Sequence, residues 1–432
     1  MKPQLAVGAI SSGSGKTTFT MGILRALQRQ GLQVQSFKCG PDYIDTRFHS
    51  IASGRESVNL DTWLSSEGHV KALYSRYGAD ADACVVEGVM GLFDGYERMN
   101  GSTAEIARLL DIPVLLVINA RSMAYTVAAQ LHGMKTFLPE LRIAGVVFNQ
   151  VSSGSHFRFL SQACDDAGLR CFGCIPKAPG LEIPSRHLGL TLSAEQEMNV
   201  WIDRAADLIE AHIDMKSLLD AVRQPFAEPG SDDAFSHGGM RIAVARDAAF
   251  NFIYRENLAA LGRMGELHFF SPLAGDSLPE AELLYLPGGY PELFAAELAS
   301  RKELMSQIRG FVGAGGRVFA ECGGMIYLSQ GIEGVEGGPF PMCGVLPFSA
   351  TMAGARLHLG YRHIVTASGQ QWRGHEFHYS ELTAPGAVPS IARQYNARGE
   401  EVATPLYRYK NLIAGYTHFY WGESDILKLW EQ

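Results

Sequence analysis

The stretch ISSGSGKTTFT, residues 10–20, restricts the fold of this chain more than any other. It follows the apolar run QLAVGAI and opens the helical pattern KTTFTMGILRALQRQG, which Gly31 closes. A Gly-Lys-Thr where a strand meets a helix suits a phosphate. Backbone N–H groups at the helix N-terminus face the anion, and the helix dipole favours negative charge there. Gly13, Ser14, Gly15, Lys16, Thr17 and Thr18 form the expected ATP-contacting set. Lys16 is placed to meet the β- and γ-phosphates, and the Thr17 hydroxyl to ligate Mg2+. The usual pattern, G-x-x-x-x-G-K-[ST], starts with a glycine where this chain has Ile10. A glycine-rich helix cap is the competing reading.

The rest of the first half keeps the alternation. QVQSFKC, ACVVEGVM, PVLLVIN and AGVVFNQV are apolar and partly β-branched, as strands buried on both faces of a parallel sheet are. Residues 223–240, RQPFAEPGSDDAFSHGGM, are polar, rich in Pro, Gly, Ser and Asp, and lack an apolar period; they read as a linker. The pattern restarts with RIAVARD, YRENLAALGRMG, LHFFSP, AELLYLPGG and GRVFAECGG. Two α/β domains follow, 1–222 and 241–432, as a chain of 432 residues requires. With 47% hydrophobic and 19% charged residues, both can bury a core.

A net charge of -8 without a basic block disfavours nucleic-acid binding. No apolar run is long enough to span a bilayer. The N-terminus lacks a signal peptide's apolar region, so a cytoplasmic protein is expected. Seven scattered cysteines fit reduced thiols. CFGC, residues 171–174, has no second pair to complete a zinc site and reads as a strand and its turn.

A Mg2+ site needs more oxygen ligands. In ACVVEGVMGLFDGY, Glu87 ends a buried strand and Asp94 follows on a glycine-bearing loop, where parallel sheets bind ligands. Glu87 is the Mg2+ candidate; taken alone, each acid reads first as a solvated loop charge, and the phosphate loop beside them turns the reading towards a ligand. KCGPDYIDTRFH brings Lys38, Asp42, Asp45 and His49 to the same sheet end. Asn149, after AGVVF, could read a nucleotide base or cap a strand.

A second site is drawn in GGRVFAECGGMIYL. Cys322 ends an apolar strand and precedes two glycines and a helical pattern, the layout of a nucleophile elbow. The helix end is expected to stabilise its thiolate. LYLPGGYPE offers backbone N–H groups at Gly288 and Gly289 for an oxyanion hole. IAGYTHFYWGE supplies His418 as base. A core thiol and a core histidine are the alternatives for Cys322 and His418 taken singly. His375, Glu376 and His378 in RGHEFHYS could suggest metal ligands, but His375 and His378 point to opposite faces of a strand, which favours a polar interface.

Together SSGSGKTT, FKCGPDYIDTRFH, VEGVMGLFDG, IPSRHLGLTLSAE, LPGGYPE, AECGGMIYL and RGHEFHYS resemble the cobyrinic acid a,c-diamide synthases. The likeness runs from the loop at residue 10 to the histidine at 418. The first half is similar to dethiobiotin synthetase and its relatives. The second is similar to class I glutamine amidotransferases of the cobyric acid synthase type. The implied fold is α/β in two domains, a P-loop parallel-sheet synthetase domain and a flavodoxin-like amidotransferase domain. The implied reaction is ATP-dependent amidation of the a and c acetate side chains of cobyrinate, a corrinoid tetrapyrrole, in cobalamin biosynthesis. L-Glutamine would be hydrolysed at Cys322 through a glutamyl thioester, and the ammonia passed internally to the first domain. There ATP with Mg2+ would turn a substrate carboxylate into an acyl phosphate that traps the ammonia. The family motif carries Asp45 and Asp94 into the synthetase site.

The missing first glycine matches the family's own loop. Class I amidotransferases often place a glutamate two residues after the histidine; here that residue is Tyr420. A Cys–His dyad is therefore expected, with Glu423 as the only substitute acid considered. Hydrogenobyrinate and nickel sirohydrochlorin are alternative substrates for the same chemistry. An ATP-switched regulatory protein with a degenerate amidotransferase domain is a reading from another class, against which Cys322 and His418 both count. Partners are expected to be small molecules, with no nucleic acid and no membrane; a homodimer stays open.

Overall fold

The computed structural model describes residues 1–178, 192–227, 238–334, 337–383 and 388–431. Most of IPSRHLGLTLSAE and the centre of the expected linker lie outside the described residues. The chain divides into two compact units, one of described residues up to 227 and one from 238 on. No described helix is long and apolar enough to cross a membrane.

The first unit carries β1 (Lys2–Ala9), β2 (Val34–Cys39), β3 (Val58–Leu60), β4 (Ala83–Glu87), β5 (Val114–Asn119), β6 (Ile143–Val151), β7 (Cys171–Pro176) and β8 (Arg223–Gln224). Their order is β3-β2-β4-β1-β5-β6-β7, and all seven run parallel. β1 is buried at every position after Lys2, and from Leu5 to Ala9 its sequence is continuously apolar rather than alternating. Each such fully buried aliphatic side chain contributes about 1.5–3 kcal/mol. The helices α1 (Lys16–Arg29) and α2 (Ile44–Ser53) follow β1 and β2. Three further helices start at serine caps: the hydroxyls of Ser66, Ser102 and Ser153 accept from the N–H groups of His69, Glu105 and His156. Such a cap is worth about 1 kcal/mol.

Residues 223–227, which the polar composition assigns to the linker, instead close this unit. Arg223 and Gln224 pair antiparallel with Pro3 and Lys2. Gln4 Nε2 donates to the Pro225 carbonyl at 2.8 Å, and the Phe226 ring packs 5.5 Å from that of Tyr74. One aromatic side chain and two strand pairs outweigh the polar neighbours. CFGC lies within β7, as its strand reading has it.

The second unit carries β9 (Met240–Ala245), β10 (Gly265–Phe270), β11 (Leu283–Leu286), β12 (Arg317–Glu321), β13 (Gly331–Glu333), β14 (Phe340–Pro341) and β15 (Ser349–Thr351). β16 (His358–Thr366), β17 (Gln371–His378), β18 (Glu381–Thr383), β19 (Ala392–Tyr395) and β20 (Glu401–Val402) follow. The last are β21 (Leu406–Tyr409), β22 (Leu412–Gly415) and β23 (Thr417–Tyr420). The main sheet runs β10-β9-β11-β12-β22-β21, parallel except for β21. Its first five strands have the flavodoxin-like 2-1-3-4-5 order. A second, antiparallel sheet runs β20-β19-β16-β17-β23, with β23 at its edge.

Candidate active sites

The phosphate loop joins β1 to α1. Its left-handed residues are Gly13, φ 74°, and Gly15, φ 96°. Ile10 is not left-handed, so the position of the absent glycine demands no special backbone. A Cβ at Gly15 would lie 2.1 Å from Asn149 Nδ2. That amide donates to the Ser14 carbonyl at 3.1 Å. Asn149 therefore braces the loop, a task its sequence position did not suggest. Lys16 is buried and donates to the Met90 carbonyl. Burial lowers the pKa of its ammonium, against the pull of Glu87. Thr18 stands partly buried in the first turn of α1.

Beside the loop lies a buried charge network. Thr17 Oγ1 donates to Glu87 Oε1 at 2.6 Å. Lys38 Nζ reaches the same oxygen at 3.0 Å and Asp45 Oδ2 at 2.7 Å, and His49 Nε2 contacts Glu87 Oε2. Burial alone would raise the Glu87 pKa; Lys38 and His49 outweigh it and hold the carboxyl well below the usual range. For Lys38, burial opposes the charge, but Asp45 and Glu87 prevail and raise its pKa. Thr17 and Glu87 offer hard oxygen donors at the loop, which fits Mg2+. Asp42 is one step removed: its Oδ1 accepts from the N–H groups of Ile44 and Asp45, both at 2.8 Å, and so caps α2 and aims Asp45 at Lys38. Asp94 is exposed and accepts from Gly91 N at 2.9 Å, fixing the turn beside the loop.

In the second unit Cys322 follows β12 at φ 43° and ψ -105°, a strained conformation for a residue with a Cβ. Its N–H donates to the Gly415 carbonyl at 2.7 Å. A Cβ at Gly324 would lie 2.1 Å from the Leu286 carbonyl oxygen, so the turn leaves no room for a side chain. Cys322 Sγ lies 3.7 Å from the Phe377 carbonyl oxygen, and that carbonyl also favours the protonated form of the His418 ring. A Cβ at Gly288 would strike His418 Cε1 at 2.1 Å, and one at Gly323 would lie 3.0 Å from Gly289 N. The structure thus gathers Gly288, Gly289, Cys322 and His418.

The charge state differs from the sequence expectation of a stabilised thiolate. Burial pushes the Cys322 thiol well above its usual range, and Glu292, Glu376 and Glu321 add to it. The helix behind it has only six residues, too little dipole to offset full burial. Burial also pushes His418 down to about 3, with His375 and His378 pushing the same way. Both shifts favour the uncharged forms, a thiol at Cys322 and an imidazole at His418.

Residues 5–190 match the family model of the CobQ/CobB/MinD/ParA nucleotide binding domain, and residues 241–426 that of the CobB/CobQ-like glutamine amidotransferase domain. The chain is 41% identical to the cobyrinate a,c-diamide synthase of Syntrophotalea carbinolica, over 96% of this chain and 95% of that protein. It is 40% identical to the protein of that name from Picrophilus torridus, over 96% and 95%. It is 39% identical to the hydrogenobyrinate a,c-diamide synthase of Brucella suis, over 95% and 97%. The chain belongs to the cobyrinate and hydrogenobyrinate a,c-diamide synthase family. It is a ligase with a nucleotide-binding and an amidotransferase domain.

In this diamide synthase family member, RGHEFHYS forms most of β17 and the turn after it. Glu376 and His378 share a face, and His358 joins them across the hairpin, so three donor atoms lie within 4.8 Å of one another. They are already engaged. His378 Nε2 contacts Glu376 Oε1 at 2.7 Å and its Nδ1 donates to the Ser380 carbonyl at 2.8 Å. Arg362 and Thr404 donate to the other Glu376 oxygen. The Arg362 charge lies against the same Glu376 carboxylate. Glu423 lies exposed after β23, and Tyr420 packs on Tyr254 with ring centroids 5.4 Å apart. The sequence reading missed Glu321, although its place directly before Cys322 was a signal.

Proposed function

We propose that the chain amidates the a and c acetate carboxylates of cobyrinate, taking ammonia from L-glutamine and activating each carboxylate with ATP. The observation that carries the reading is the left-handed Cys322 turn, where Gly323 packs on Gly289 and the adjoining Gly288 packs on the His418 ring, in a chain that also holds a phosphate loop. Neutral His418 takes the thiol proton as sulfur attacks the glutamine carboxamide, and returns it to the departing ammonia. Backbone N–H groups at Gly288 and Gly289 face the developing oxyanion. Water then hydrolyses the thioester to glutamate.

In the first unit the loop N–H groups and Lys16 hold the ATP phosphates. Thr17 and Glu87 would hold Mg2+, which supplies charge neutralisation at the phosphates when bound. Lys38, Asp45 and Asp94 position the substrate carboxylate, which takes the γ-phosphoryl group. Ammonia displaces phosphate from that acyl phosphate and leaves the amide. A carboxylate is a poor acyl donor until its oxygen becomes a good leaving group, which accounts for both domains in one chain.

Hydrogenobyrinate is the second reading, supported by relatives of near-equal identity that carry its name. The test supplies ATP, Mg2+, glutamine and either ring, with products read by mass spectrometry. Two amidations of cobyrinate are expected; conversion of hydrogenobyrinate alone moves the assignment to the metal-free ring. C322A is expected to lose glutamine-dependent amidation and to keep the reaction with external ammonia. K16A is expected to lose both.

A further inference from the structure

Among the described strands, the histidine strand β23 pairs with β17 alone. Two buried side chains from outside its sheet meet its other edge. Glu321 Oε1 accepts from Phe419 N–H at 2.7 Å. Asn257 Nδ2 donates to the Phe419 carbonyl at 2.8 Å, and Asn257 Oδ1 accepts from Trp421 N–H at 3.0 Å. The second Glu321 oxygen accepts from the Tyr285 hydroxyl at 2.6 Å. Glu321 is 1% exposed and ends β12, directly before Cys322. Phe419 directly follows His418. One carboxyl thus ties the residue before the nucleophile to the residue after the base, while β12 takes β11 and β22 as its own sheet neighbours.

We propose that Glu321 is the positioning acid of the glutamine site. It sets His418 relative to Cys322 by holding the Phe419 amide, in place of the acid that would act on the histidine ring from position 420. Tyr285 fixes the carboxyl's second oxygen and so its direction. The role needs an acceptor at this point and not a charge: burial raises the Glu321 pKa to about 8, against the hydrogen bonds from Tyr285 and Phe419. An ionised carboxyl next to Cys322 would also oppose thiolate formation.

The inference rests on the reading of Cys322 and His418 as the glutaminase pair. Its test uses the full chain and measures glutamine hydrolysis, with ammonia-dependent amidation as the control for an intact protein. Glu321→Met keeps length and burial but has no acceptor for Phe419. It is expected to lower kcat for glutamine by about tenfold to a hundredfold, the scale of a small misplacement of reacting groups, with KM within about twofold. Glu321→Gln retains a carbonyl oxygen for Phe419 and is expected to restore kcat to within a few-fold of the parent. A Met variant with parental kcat, or one whose loss lies in KM, overturns the proposal. So does a Gln variant as slow as the Met variant, because the charge would then be what matters. Cys322→Ala separates the two levels: if it still hydrolyses glutamine, the site reading itself falls; if it is inactive and E321M is not impaired, only the role of Glu321 falls.

Discussion

Replacing Glu376 by glutamine is expected to destabilise the second unit strongly at neutral pH and much less in acid. The Glu376 carboxyl is held at about 2, against an ordinary 4.5. Burial alone would raise it; the hydrogen bond from His378 and the charge of Arg362 outweigh burial. At about 1.4 kcal/mol per pH unit, the gap corresponds to about 3 kcal/mol. All three partners are nearly buried, so solvent screens this little. The sign follows from the depressed folded value. The contribution is fully present above about pH 4.5 and is lost as pH falls towards 2.

Chemical unfolding of full-length E376Q and its parent at pH 7 and pH 3 tests this. A deficit of about 3 kcal/mol at pH 7, falling to roughly half at pH 3, is expected. In a thermal scan at pH 7 the second unit's transition should drop by about 6–12 °C. An equal deficit at both pH values, or one below about 1 kcal/mol at pH 7, refutes the electrostatic account and leaves packing as the cause. The substitution also reports on catalysis. Phe377, whose carbonyl oxygen lies 3.7 Å from Cys322 Sγ, stands between Glu376 and His378. Glutaminase kcat should therefore fall together with stability at pH 7.

Gly288→Ala places a methyl group 2.1 Å from His418 Cε1, so glutamine hydrolysis should fall about a hundredfold while ammonia-dependent amidation persists. Lys38→Met leaves Asp45 and Glu87 buried without their shared cation; a loss of about 3–5 kcal/mol in the first unit, read by thermal unfolding, and loss of amidation are expected. Asn149→Ala removes the brace on Ser14, so calorimetry should find weaker ATP binding with glutamine hydrolysis unchanged. The raised Cys322 pKa means that thiolate accumulates only above the usual thiol range, so iodoacetamide should alkylate Cys322 slowly at neutral pH and faster as pH rises.

What local spacing encodes was legible in the sequence. A strand, a short glycine loop and a helix are contiguous, so Lys16 and Thr17 could be placed at a helix N-terminus from residues 5–29 alone. The turn at Cys322 was legible for the same reason. What depends on register between distant strands was not. Asn149 reaches Ser14 only because β6 lies two strands from β1, across β5. His358 meets His378 only through the pairing of β16 with β17, so spacing within RGHEFHYS pointed to the wrong histidine, His375. The thiolate expectation failed because burial and three carboxyls act through space at Cys322, and no sequence pattern counts them.

The two sites differ in how their parts are held. In the first unit Lys38, Glu87 and the phosphate loop stand at the carboxyl ends of adjacent parallel strands β2, β4 and β1, and the sheet itself sets their spacing. In the second unit Cys322 follows a strand of the parallel sheet, whereas His418 stands on the edge of the antiparallel one. No ladder of backbone hydrogen bonds joins β12 to β23, so side chains must set the distance between nucleophile and base. Glu321 does this by joining the end of β12 to the Phe419 amide, and Asn257 holds the Phe419 carbonyl beside it. Alignment at such a junction is sensitive to single atoms, while each sheet stays intact without them. Substitutions there that keep volume and charge balance should therefore lower kcat before they lower stability, whereas removing a charge from the Glu376 cluster should lower both.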